Sequence, residues 1–145
     1  MAVITGLQEE VERGASPYTQ SLAAHTLATP IRMGHPTYSD IAVARLVQAY
    51  DRTASIELRG HLVGALFQAR SRDADLLRMM EDVAADPRAS TYTVKSALEI
   101  LSNNGLEGRA ILQRLHLSNS VRDPEGRAMM QIIARDGYRV RRPKP

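Results

Sequence analysis

Apolar residues recur along the chain at alternating spacings of three and four, which is the pattern of helices with one buried face. In residues 54–70 this stripe consists of Leu58, Leu62, Ala65, Leu66 and Ala69. No window keeps the period-two alternation that is typical of a half-buried strand. The pattern predicts an all-α protein of roughly eight helices, at about residues 3–12, 16–28, 39–50, 54–70, 73–85, 90–103, 106–117 and 124–136.

A short phrase recurs where several of these helices are expected to begin. Residues 13–19 read RGASPYT, residues 88–93 read RASTYT and residues 52–55 read RTAS. Each copy puts a serine at the helix start, where its side chain can accept a hydrogen bond from a free backbone N–H, and Asp123 supplies the same chemistry before Pro124. The starts at 16, 55, 90 and 123 are 39, 35 and 33 residues apart, a period that is typical of helix pairs in an α-solenoid.

A second pattern recurs within the helices that follow these starts. An apolar or small residue precedes a cation in Leu58–Arg59, Val94–Lys95 and Gly126–Arg127, and apolar residues follow three and six positions after the cation. With the turns Asp86–Pro87 and Asp123–Pro124, this pattern resembles the second helix of HEAT repeats. The resemblance implies a short right-handed α-solenoid, HEAT- or armadillo-like, of about four helical hairpins.

The expected domain organisation follows from that resemblance. We expect a single helical-repeat domain over residues 1–137, followed by a basic, flexible tail over residues 138–145. The first hairpin departs from the pattern because Thr19–Gln20 replaces the apolar–cation pair, and from such differing ends we expect a complete array. The four hairpins are expected at about residues 2–28, 38–70, 73–103 and 106–137.

The recurring polar side chains of the second helices are the candidate binding residues: Gln20, Arg59, Lys95 and Arg127. Stacked repeats would bring them into a row on a concave face, where they could hold an acidic segment of a partner protein. The alternative is structural, because the resembling family commonly uses such a cation to bond the turn aspartate of a neighbouring repeat. Here Asp51, Asp86 and Asp123 are available for that role.

Charge changes this picture only at the C-terminus. The net charge of the 145-residue chain is +3, but the tail holds four cations and no acid. These tail cations are Arg139, Arg141, Arg142 and Lys144. Four cations can neutralise about four phosphates at most, so the sequence predicts only weak, sequence-independent binding to nucleic acid.

Composition excludes several classes of chemistry. The chain has no cysteine, so disulfides and thiolate chemistry are ruled out, and its four histidines lie in different predicted elements without metal-ligand spacing. No nucleophile elbow or phosphate-binding glycine loop occurs, and Asp73 and Asp75 open a helix, where carboxylates complement the free N–H groups. We therefore expect no metal, no cofactor and no enzymatic activity.

Hydropathy and the N-terminus complete the prediction. No apolar run approaches the roughly 18 residues of a spanning helix, and no secretory signal is apparent, so we expect a soluble, cytoplasmic protein. The predicted function is a non-catalytic interaction module or adaptor that binds another protein on the second helices. A nucleic-acid-associated protein that uses the cations of the second helices and the tail is the alternative, and the sequence assigns no oligomeric state.

Overall fold

The computed structural model describes residues 2–71 and 73–138. These residues form nine α-helices and no strand, so the all-α prediction is confirmed. The helices are α1 (Ala2–Arg13), α2 (Pro17–Leu27), α3 (Thr29–Arg32), α4 (Tyr38–Arg52), α5 (Ile56–Ala65), α6 (Ala74–Ala85), α7 (Thr91–Ser102), α8 (Gly105–Leu117) and α9 (Pro124–Arg135). None of the described helices is long and apolar enough to cross a membrane.

Two local differences from the predicted elements have physical causes. The segment between the helices expected over 16–28 and 39–50 contains the short helix α3, in which Pro30 lies within the first turn, where a missing N–H is harmless. The helix expected over 54–70 ends at Ala65, because Leu66, Phe67 and Ala69 bond to carbonyls three residues back and so form turns. The other seven helices agree with the predicted bounds to within two residues.

The predicted caps are confirmed at the three helix starts of the repeated phrase and at Asp123. Ser16, Ser55 and Ser90 each accept the backbone N–H of the third residue that follows, at 3.2 Å. Asp123 does the same for the N–H of Gly126, at 2.8 Å. Each cap satisfies one of the N–H groups that a helix start leaves without a partner.

The chain forms two compact units, which we call unit 1 (residues 1–71) and unit 2 (residues 72–145). Their boundary falls at the predicted junction between the second and third hairpins. The single domain predicted over 1–137 stays a prediction.

Some helix pairs pack alike in the two units, although α7 also packs on α8 and α3 has no counterpart among the described residues of unit 2. In unit 1, α1 packs on α2 and α4, and α2 packs on α5. In unit 2, α6 packs on α7 and α8, and α7 packs on α9. We call α1, α4, α6 and α8 the first helices, and α2, α5, α7 and α9 the second helices. Within each unit, the two first helices contact each other and the two second helices contact each other.

Buried aliphatic side chains hold each unit together. Unit 1 buries Leu27, Leu46 and Leu62 between its helices, and unit 2 buries Leu76 and Leu98, each at 2% exposure or less. The paired methionines of α6 are also fully buried, which makes them core residues rather than part of a binding groove. These cores hold the second helices in place, and the candidate site residues lie on those helices.

Candidate functional site

Gln20 lies in α2, and its side chain is bonded inside unit 1. Its Nε2 donates to the carbonyl oxygen of Val11 at 2.9 Å. Val11 is in the last turn of α1, where backbone carbonyls have no partner within the helix. Gln20 therefore caps the end of α1 and ties together the two helices of its hairpin.

Arg59 lies in α5 and is hydrogen-bonded to the turn between α4 and α5. Its Nε donates to the carbonyl oxygen of Thr53 at 3.0 Å. The centre of its guanidinium lies 4.6 Å from the ring centroid of Tyr50, within the range of a cation–π interaction. Both contacts are internal, so Arg59 holds α5 against the end of α4.

Arg127 makes the equivalent bond in unit 2. Its Nε donates to the carbonyl oxygen of Val121 at 2.8 Å. Thr53 and Val121 each lie two residues before the cap, and Arg59 and Arg127 each lie four residues after it. The terminal nitrogens of Arg127 make no hydrogen bond within residues 2–71 and 73–138, so one edge of this guanidinium is held while the other is free.

Lys95 departs from this register by one residue. Counted from the cap Ser90, the fourth position is occupied by Val94, which is buried, and Lys95 is fifth. One residue is about 100° of rotation around a helix. Lys95 therefore lies on a different side of its helix from Arg59 and Arg127, and its side chain is exposed.

Asp123 links the starts of α7 and α9. Thr91 donates its hydroxyl to Asp123 Oδ1 at 2.7 Å, while the backbone N–H of Gly126 bonds Oδ2. The Thr91 hydrogen bond, followed by the Gly126 bond and a smaller electrostatic contribution of Lys95, lowers the pKa of Asp123. Arg59 and Arg127 bond backbone carbonyls, Asp86 pairs with Arg88 at 3.1 Å, and Lys95 interacts electrostatically with the turn aspartate Asp123.

Arg127 also borders a small pocket between the end of α8 and the start of α9. The pocket has a volume of about 170 Å³. Its apolar wall is formed by three buried residues, Leu115, Val121 and Met130. Its polar rim is formed by His116, Asn119, Arg127 and Gln131, all of them exposed. We call this site the Arg127 pocket.

The rim of the Arg127 pocket is fixed by the way α8 ends. Asn119 adopts the left-handed backbone conformation, with φ of 52°, that commonly terminates a helix. Ser120 then returns its N–H to the carbonyl of Leu115 at 3.1 Å. One ring nitrogen of His116, Nδ1, lies 3.2 Å from the hydroxyl of Tyr138, so the rim is hydrogen-bonded on this side too.

Large apolar side chains are exposed on the second helices. In unit 2, Tyr92 on α7 is 71% exposed and Ile132 on α9 is 58% exposed. In unit 1, Tyr18 and Leu22 on α2 are 76% and 56% exposed. Since Tyr18 and Tyr92 each lie two residues after their caps, the exposed tyrosine recurs at equivalent helix positions.

A polar cluster between α1 and α4 was missed by sequence reasoning. The side chain of Gln8 is buried, its Oε1 accepts from Arg45 at 3.0 Å, and its Nε2 donates to Gln48 at 3.1 Å. Next to it, Arg52 pairs with Glu12 at 3.0 Å. These residues satisfy one another, and no sequence spacing announces them because the partners are 37 to 40 positions apart.

Two of the four histidines are neighbours in unit 1. His25 on α2 and His61 on α5 interact electrostatically. Burial, together with the positive charge of His61 and of Arg32, lowers the pKa of His25. Within the described part of the chain, no group of three histidine, aspartate or glutamate side chains could hold a metal ion.

The tail cations Arg139, Arg141, Arg142 and Lys144 lie outside the described residues. Their predicted contacts with a partner therefore stay a prediction.

Comparison of the chain with protein-family models, with curated proteins and with solved structures finds no match.

Proposed function

We propose that this chain is a non-catalytic protein-interaction module built from HEAT-like stacked hairpins, and that its partner binds the exposed sides of the second helices. The packing within each unit supports this architecture: first helices contact each other and second helices contact each other. Such stacking is the basis of α-solenoids, which bind partners on the surface of one row of helices.

The observation that carries the proposal is the exposure of Tyr92 and Ile132 on two second helices that pack together. Aromatic and aliphatic side chains of this size contribute most to binding when a partner covers them. The side chain of Lys95, three residues after Tyr92 on α7, is also exposed. We call Tyr92, Lys95 and Ile132 the α7–α9 face.

The chemistry of this region favours an acidic partner segment that also carries apolar residues. The positive charge comes mainly from the four cations that follow Tyr138 in the sequence, with local contributions from Lys95, which interacts with Asp123, and from the free edge of Arg127. Charge of one sign steers an oppositely charged partner and increases its association rate. Gln20 and Arg59 are bonded internally, so the proposed surface uses Lys95 and Arg127 from the predicted set.

A displayed peptide library tests this proposal. The library is selected on the full chain and each enriched peptide is measured on the double variant Tyr92→Ser, Ile132→Ser. We expect enriched peptides to be acidic with apolar residues, and to bind the double variant at least about tenfold more weakly, since two buried apolar anchors are lost.

The matched control is Leu106→Ser. Leu106 is 74% exposed on α8, a first helix of the same unit, so its replacement removes a similar exposed side chain from the other row of helices. We expect this variant to bind the peptides like the wild type. Peptides that bind the wild type and the double variant equally well would contradict the α7–α9 face as the binding surface.

The basic tail favours a second candidate function, association with nucleic acid. Arg139, Arg141, Arg142 and Lys144 can contact phosphates without reading sequence. Against it, positions 1–137 hold 15 basic and 16 acidic residues, so the positive charge of the chain is confined to its C-terminus.

A further inference from the structure

The Arg127 pocket combines a held cation with an apolar wall. The Nε of Arg127 is bonded to the Val121 carbonyl at 2.8 Å, which orients the guanidinium, while its terminal nitrogens are free among the described residues. Those two nitrogens form the end of a planar fork that matches the two oxygens of a carboxylate. The guanidinium therefore presents a ready binding edge at the mouth of an apolar pocket.

The other rim groups suit the same ligand. The side-chain amides of Asn119 and Gln131 can each donate an N–H to a carboxylate oxygen, and they line the pocket with Arg127. Among the described residues, no acidic side chain lines the pocket. The side chains of Leu115, Val121 and Met130 contain no hydrogen-bonding atom except the weakly accepting thioether sulfur of Met130. This wall therefore favours an apolar stem.

The size of the pocket limits what can enter. Its volume of about 170 Å³ is close to that of engineered cavities of about 150 Å³ that hold benzene, a molecule of six heavy atoms. A carboxylate with a stem of two or three carbons has about the same number of heavy atoms. A whole helix or a nucleotide base with its sugar is too large to enter.

From this geometry we infer that the Arg127 pocket binds a carboxylate that carries a short apolar stem, with the oxygens on Arg127 and the stem against Met130. The inference deepens the proposed function, on which it rests, because the acidic side chain of a partner segment has this chemistry. A free short-chain carboxylate has it as well, and the experiment separates the two sources.

The experiment titrates the isotope-labelled full chain with butyrate and follows the side-chain N–H signals of Arg127, Asn119 and Gln131 by NMR. Butyramide, which has the same shape without the charge, is the matched probe. We expect saturable shifts with butyrate at a Kd of about 1–10 mM, which is typical of so small a ligand, and much smaller shifts with butyramide. Equal shifts from both probes, or no saturation, would overturn the inference.

Two variants assign the binding to the pocket. Gln131→Glu keeps the size of an exposed side chain but adds a negative charge to the rim, so butyrate should bind at least about tenfold more weakly because like charges repel. Arg127→Met should do the same, with its Tm measured to separate lost binding from lost folding. Arg59→Met removes the equivalent arginine of unit 1, which is not among the residues that line the Arg127 pocket, and should leave butyrate binding unchanged.

Peptides selected on the full chain distinguish the two sources and the two proposals. If a partner segment supplies the carboxylate, replacing its glutamate by glutamine weakens binding to the wild type but not to Gln131→Glu. If butyrate binds but no peptide does, the pocket takes a free carboxylate and the interaction-module proposal fails. If peptides bind through Tyr92 and Ile132 while butyrate leaves Arg127 unmoved, the pocket inference fails alone.

Discussion

Arg59 and Arg127 illustrate what a residue pattern can and cannot predict. The sequence places a cation at the same point of two second helices, and the structure confirms that the two are equivalent. A partner segment or a turn aspartate were the two alternatives for these cations, and the hydrogen bonds of their Nε atoms go to the carbonyls of Thr53 and Val121. A backbone carbonyl is present whatever the side chain is, so the sequence contains no signal for this partner.

The internal bonding of Arg59 predicts a cost in stability. In Arg59→Met, the Thr53 carbonyl loses a charged donor and Tyr50 loses its cation, so we expect the free energy of unfolding to fall by about 1–2 kcal/mol. Urea denaturation measures the change. Arg13→Met, at an exposed position of α1, is the control and should cost less than about 0.5 kcal/mol. Equal losses of unfolding free energy in the two variants would argue against a stabilising bond between Arg59 and the Thr53 carbonyl.

His25 predicts how stability depends on pH. Because burial lowers its pKa in the folded state, the unfolded chain takes up the proton more readily as the pH falls through about 6.5. The free energy of unfolding should therefore decrease as the pH falls through this value, and level off below the folded pKa. In His25→Gln, the decrease in the free energy of unfolding that is due to this histidine should disappear. Urea unfolding midpoints at pH 7.5 and pH 5 measure the difference. His116→Gln is the control, and a wild-type slope in His25→Gln would contradict the prediction.

At the scale of elements, helix bounds follow from local signals but helix packing does not. The caps Ser16, Ser55, Ser90 and Asp123 are read directly from the sequence, because each satisfies backbone groups only three residues away. The buried cluster around Gln8 depends on which helix lies beside α1, and that information is absent from any local pattern. The Arg127 pocket was missed for the same reason.

The contact between α7 and α8 predicts a strong effect of one small substitution. A Cβ atom at Gly108 would lie 2.0 Å from the carbonyl oxygen of Leu101, so Gly108→Ala forces the two helices apart. We expect a loss of unfolding free energy of about 2–4 kcal/mol, more than the usual cost of overpacking because a backbone atom is in the way. Thermal or urea denaturation checks this value.

Gly6→Ala is the control for the same change. Gly6 lies in α1, and apart from its own helix backbone and its chain neighbours no described atom lies within 4 Å of the position that a Cβ would occupy, so alanine should stabilise the helix by about 0.5–1 kcal/mol. Opposite signs for the two substitutions are expected. A neutral or stabilising Gly108→Ala would show that α7 and α8 are not in such close contact.

At the scale of the whole molecule, some helix contacts occur in both units, but the side chains at equivalent positions make different contacts. The capped starts of α2, α5, α7 and α9 were predictable from the residues at 16, 55, 90 and 123, while the stacked-hairpin repeat stays a prediction. Unit 1 uses its second-helix polar residues, Gln20 and Arg59, to bond its own backbone. Unit 2 leaves Lys95 and one edge of Arg127 exposed, which is why the proposed function places the partner on unit 2.

The distribution of charge over the whole chain decides between the two candidate functions. Deletion of residues 139–145 removes four cations and changes the net charge from +3 to −1 (+3 − 4). If the tail is the source of nucleic-acid affinity, the full chain should bind mixed-sequence DNA only weakly, with a slope of log K against log salt no steeper than about −4, and the deletion should abolish binding. Fluorescence anisotropy at several salt concentrations measures both quantities.

Peptides selected on the α7–α9 face should still bind the shortened chain, because Tyr92, Lys95 and Ile132 are retained. Tight, salt-sensitive DNA binding that survives the deletion would place phosphate-contacting cations outside residues 139–145, and the nucleic-acid function would then displace the interaction module.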